Sequence, residues 1–117
     1  MSTLLIQGTV FELPAGVSKV FDRRIALARE ASSRVIALTS DSPVAVNLDG
    51  WTGIHALELQ ADTKIVALIT TADGANQALP VDDLLVLVSR TTPITALSLV
   101  RVTGQSATVK VTLAQKA

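Results

Sequence analysis

Ala107-Thr108-Val109-Lys110-Val111-Thr112-Leu113 reads as a β-strand with one dry and one wet face. Val109, Val111 and Leu113 alternate with Thr108, Lys110 and Thr112, and successive strand side chains point to opposite faces, so the period of two sorts apolar from polar residues. A strand of this kind belongs to an antiparallel sheet with one side on a core and the other in water.

The same reading extends upstream. Thr95 to Arg101 sets Leu97 and Leu99 against Ser98, and Thr103-Gly104-Gln105-Ser106 follows as a connection, which predicts a hairpin with the closing strand. Ile65-Val66-Ala67-Leu68-Ile69 and Leu84-Leu85-Val86-Leu87-Val88 are continuous apolar runs, bounded by Ala72-Asp73-Gly74 and Thr92-Pro93. They predict strands buried on both faces, although short apolar runs are also compatible with helix. His55 to Gln60 alternates Leu57 and Leu59 with Ala56, Glu58 and Gln60, while Val44, Val46 and Leu48 keep the same rhythm after Pro43. Asp49-Gly50 marks the turn between these two segments. Leu4 to Leu13 predicts a further strand, ended by Pro14-Ala15-Gly16.

Val20 to Leu38 admits two readings. Arg23 to Ala31 is rich in helix formers, and a helical face can be drawn through Leu27, Ala28, Ala31, Val35 and Leu38. Against it, Ser32-Ser33 divides the segment, Ile25 and Leu27 alternate with Arg24 and Ala26, and Val35-Ile36 favours a strand. Two strands joined near Glu30 to Ser33 is the preferred reading. Turn residues punctuating apolar runs at intervals of about 8–12 residues mark a sandwich or barrel. The expected fold is an antiparallel β-sandwich of seven or eight strands, with a jelly roll among its possible topologies. The 117 residues suit a single domain, 1–117.

Hydrophobic residues make up 49% of the chain and charged residues 17%, an apolar balance that suggests surface covered by a partner. Ten basic and ten acidic residues cancel, so binding to nucleic acid or an anionic membrane through bulk charge is disfavoured. No apolar stretch approaches the roughly 18 residues of a membrane span, and Met1 to Gly8 lacks the basic region of a secretory signal. The absence of cysteine removes disulfides, thiolate nucleophiles and cysteine-ligated metals.

Catalytic chemistry has little to build on. His55 is the sole histidine, expected to be partly buried or capping a loop, with clustering on an oligomer axis as the sharper alternative. Asp82 and Asp83 are neighbours on an extended chain and point to opposite faces. Asp49 and Asp73 precede glycines and read as turn aspartates, and no calcium-loop spacing is present. The glycines form neither phosphate-binding pattern, and the serines lack a nucleophile elbow. No enzyme activity and no cofactor are expected. Trp51, in Asp49-Gly50-Trp51-Thr52-Gly53, is either an exposed interface anchor or a loop residue folded over the end of the sandwich. Arg23, Arg24, Arg29 and Arg34 form the densest basic patch, but Asp22 and Glu30 dilute it and three aromatics offer few stacking platforms for bases. The candidate interface residues are therefore Trp51, His55, Arg23, Arg24, Arg29 and Arg34.

Residues 35–113 resemble small structural proteins of tailed-bacteriophage virions. The likeness is carried by Ser42-Pro43-Val44-Ala45-Val46-Asn47-Leu48, the Ile54-to-Gln60 strand, Ala78-Leu79-Pro80-Val81-Asp82, Ile94-Thr95-Ala96-Leu97-Ser98-Leu99 and Ser106-Ala107-Thr108-Val109-Lys110-Val111. The resemblance implies a β-sandwich of the head-decoration, head-fibre or tail-associated type, non-enzymatic and homo-oligomeric. Capsid decoration is the favoured role, with a tail or fibre role and a carbohydrate- or ligand-binding module as alternatives. The implied partners are copies of the chain, a trimer being favoured, and a phage capsid or tail protein. The implied location is the virion, after synthesis in the bacterial host cytoplasm. The arginine-rich stretch before residue 35 departs from the pattern, which makes it a candidate for docking onto the partner.

Overall fold

Eight short amphipathic strands can bury their apolar faces only against one another, and here they do so as two four-stranded sheets. The computed structural model describes residues 3–12, 17–27, 31–48, 51–89 and 91–116. No helix occurs among the described residues. The strands are β1 (Thr3–Glu12), β2 (Val17–Ala26), β3 (Ser32–Leu38), β4 (Val44–Ala45), β5 (Ala56–Ala61), β6 (Ile65–Thr71), β7 (Asn76–Val81), β8 (Leu84–Val88), β9 (Ile94–Arg101) and β10 (Ala107–Ala114). One sheet has the order β3-β10-β5-β8 and the other β4-β9-β6-β7, with every pairing antiparallel.

Apart from the β6–β7 hairpin, each successive strand from β3 to β10 crosses to the opposite sheet. Counted from β3, one sheet runs first, eighth, third, sixth and the other second, seventh, fourth, fifth, which is the jelly-roll arrangement of two Greek keys. The expected sandwich is therefore present with eight strands. β1 and β2 form a separate ribbon outside it, in continuous register from Thr3↔Ala26 to Glu12↔Val17.

The core follows the alternation of the sequence. Leu57, Leu59 and Ala61 of β5 and Val109, Val111 and Leu113 of β10 are buried on one sheet. Ile65, Ala67 and Ile69 of β6 and Leu97 and Leu99 of β9 are buried on the other. These residues join a single apolar cluster, and no polar or charged side chain is buried among the described residues. A smaller cluster of Leu27, Ala56, Ala114 and Val88 lies on the far side of the β5–β10 sheet.

The region preferred as two strands is two strands, β2 and β3. Several finer expectations are corrected. β9 and β10 do not form a hairpin: each lies in a different sheet, and residues 102–106 cross between them. Asp41 fixes that crossing, its Oδ1 accepting from the Gly104 amide at 3.1 Å and from Arg101 Nε at 2.9 Å. Gly104 takes φ +79° there, a left-handed backbone that glycine adopts without steric cost. β8 is not buried on both faces, since Leu84 and Val86 are exposed at the edge of its sheet. β6 is half-buried outward at Val66 and Leu68. The rhythm at Val44, Val46 and Leu48 yields only a two-residue strand, although Val46 still reaches the core. The turns expected at 14–16 and 49–50 lie outside the described residues.

Candidate functional site

The approach to β5 places Trp51 and His55. Ile54 and Ile94 exchange a reciprocal pair of backbone bonds at 2.8 Å, which ties the segment before β5 to the start of β9. Gly53 makes that approach possible, because a Cβ there would stand 2.6 Å from Pro93 Cβ. The Trp51 amide donates to the Leu48 carbonyl at 2.9 Å, and the indole, 9% exposed, packs into the main core cluster. Of the two readings of Trp51, the structure has the loop folded over the end of the sandwich. A side chain so placed offers no platform to a partner or a sugar ring.

His55 is half-buried. Its amide donates to the Ala114 carbonyl at 2.8 Å, its carbonyl accepts from the Ser89 amide at 2.8 Å, and its Nδ1 accepts from the Lys116 amide at 3.3 Å. The ring thus links the start of β5 to the chain after β10, as a capping histidine does. Burial, and secondarily the Lys116 charge, hold its pKa below the ordinary imidazole value. Protonation is therefore harder in the folded than in the unfolded chain, and it also removes the acceptor at Nδ1. The His55 contribution to stability is complete above the unfolded pKa of about 6.5 and is lost as pH falls through the lower folded value. Urea midpoints measured across this range should fall with acid, and His55→Gln should flatten that part of the profile. An unchanged slope in the variant would remove His55 as its cause. Asp41, held low by the Gly104 amide and Arg101, and Asp73, held low by Thr71 and the Ala75 amide, act in a lower window, below the ordinary carboxylate pKa.

The arginines do not all converge. Arg24 lies exposed on β2 opposite exposed Leu5 of β1. Arg23 is on the same strand in register with Ile6. Arg34 is half-buried on β3, its guanidinium donating to Ser32 Oγ at 3.4 Å. Arg29 lies outside the described residues. Asp82 and Asp83 are exposed in the β7–β8 turn, where Asp83 has φ +83° and its carbonyl accepts from the Ala61 amide at 2.9 Å. Asp73 is a turn aspartate as expected, accepting from Thr71 Oγ1 and from the Ala75 amide. Among the described residues no cluster of three or more histidine or carboxylate side chains is arranged to hold a metal ion. A shallow depression of about 380 Å³ lies on β6 and β7, lined by Leu68, Ile69, Thr70, Asn76, Gln77 and Ala78, none of them a candidate residue.

Two features therefore stand out as surfaces. One is the β1–β2 ribbon, whose described side chains Thr3, Leu5, Gln7, Arg24 and Ala26 are all exposed. The other is the β8 edge with Leu84 at 53% and Val86 at 40% exposure. The sequence reading missed the second because it took an all-apolar run for a central strand. No family model matches the chain, and no curated protein or solved structure matches it either.

Proposed function

We propose that the chain is a non-enzymatic assembly protein of a bacteriophage virion, a capsid decoration protein by preference and a tail or fibre component as the alternative. In this role the sandwich is a rigid body that associates with copies of itself, and the β1–β2 ribbon is the arm that attaches it to the particle. One observation carries the reading: two ten-residue strands pair with each other and join neither sheet of the sandwich.

A two-stranded ribbon is marginally stable by itself in water, so strands of about 34 Å are best explained by a surface that covers them. The radius of gyration, 15.0 Å, exceeds the roughly 13.4 Å expected of a compact domain of this length, consistent with an arm that projects. The arm carries Arg23 and Arg24 of the arginine-bearing stretch that departs from the phage-protein resemblance. Repeated attachment over a symmetric lattice would multiply a modest affinity for each arm. The carbohydrate-binding alternative depended on Trp51 as a stacking surface, and its burial removes that support.

Light scattering across a dilution series tests the self-association on which this reading rests. A closed oligomer that persists on dilution is the expected result. A monomer at every concentration would overturn it.

A further inference from the structure

We propose that β8 is a pairing edge for a second copy of this chain, joining two sandwiches antiparallel about a two-fold axis at Val86. The inference rests on the self-assembly reading and specifies its surface.

Backbone geometry identifies the free groups. The Ser89 amide donates to the His55 carbonyl, and the Ala61 amide donates to the Asp83 carbonyl. In the β5–β8 register these bonds turn residues 83, 85, 87 and 89 toward β5. Leu84, Val86 and Val88 consequently direct their N–H and C=O groups away from the sheet. Their side chains also lie on its outer face, with Leu85 and Leu87 packed against the core on the inner one.

Two of the other three sheet edges are guarded. β4 is two residues long. On β7, the Thr71 amide donates to the Ala75 carbonyl, so residues 76, 78 and 80 face outward, and Pro80 leaves that row without one donor. β3 presents Ser33, Val35 and Ala37, a row with one large apolar side chain. β8 alone offers an outward row of three large apolar residues with neither proline nor charge within the strand, the kind of edge that templates another strand.

A second β8 fits this row in a specific register. Centring the axis on Val86 sets Val86 opposite its own copy and Leu84 opposite Val88 at both ends. Each of the three pairs is then of the type that exchanges two bonds, on the order of six hydrogen bonds in all, using every outward backbone group of both strands. The side chains of opposed residues share a face, so Leu84, Val86 and Val88 meet their copies in one apolar patch. The contact is self-complementary in hydrogen bonding and apolar surface, as an isologous interface must be. The assembly then contains an even number of subunits, in contrast to the trimer favoured from the sequence.

Because the chain lacks cysteine, single introduced thiols report the contact in the full-length protein. Val86→Cys should cross-link into covalent dimers with a short bis-maleimide, while Val35→Cys, exposed on the opposite edge, should not. Val86→Lys, which brings two like charges together at the axis, should halve the solution mass at equal concentration while leaving the β-sheet circular dichroism unchanged. A wild-type trimer would overturn the pairing, as would a wild-type oligomer whose mass survives Val86→Lys and whose Val86→Cys form does not cross-link; either result leaves the self-assembly reading standing. A wild-type monomer would overturn both.

Discussion

Leu59→Ala should lower the unfolding free energy by about 3.5 kcal/mol, the middle of the range for a buried leucine truncated to alanine. Leu59 is fully buried at the centre of β5, opposite Val111 of β10 and Leu85 of β8. Both neighbouring strands hold its surroundings in hydrogen-bonded register, so the cavity cannot collapse without disturbing a ladder on one side or the other. The loss is a large share of the roughly 5–15 kcal/mol by which a domain is normally stable. Urea denaturation gives the check: the midpoint should fall with the slope unchanged, because the surface exposed on unfolding is nearly the same. Val35→Ala, on an exposed side chain of the same sheet, should stay within about 0.5 kcal/mol of the parent. Equal effects at the two positions would mean that the sheets do not pack face to face around Leu59.

That contrast was legible in the sequence. Leu57 and Leu59, Leu97 and Leu99, and Val109, Val111 and Leu113 each fall on one parity of a strand, and each set is buried. Period two fixes which face is dry, so the core could be read without knowing which strands are neighbours. Pairing was harder to read. Residues 102–106 are short enough to close a hairpin, yet they carry the chain across the sandwich, and the Asp41 contacts that fix this crossing join residues some sixty positions apart. Local turn chemistry contains no trace of such a partner.

β8 shows a second limit of the same kind. An all-apolar run has no parity to report its faces, and a strand at the sheet edge has the same composition as one in the middle. What separates them is the neighbour on the far side, which is a property of topology. Of the candidate residues, Arg23 and Arg24 lie on the ribbon, whereas Arg34 lies on the sandwich and Trp51 in its core. Sequence proximity gathered the arginines into a patch, but the chain leaves the ribbon before Ser32 and starts a different sheet.

Trp51→Ala distinguishes a structural tryptophan from an interface anchor by what it leaves unchanged. Removing the indole should cost about 3 kcal/mol, since it takes the largest side chain from the core cluster that also holds Val46 and Ile54. Subunit mass measured well below the unfolding midpoint should nevertheless equal that of the parent, because the indole is turned inward and contributes little to any surface. An interface anchor predicts the converse, a reduced mass with the denaturation midpoint nearly unmoved, as truncating an exposed aromatic removes binding energy without opening a cavity. The two observables therefore separate the alternatives in a single variant. The expected combination assigns Trp51 to closing the sandwich and leaves the ribbon and the β8 edge to carry association.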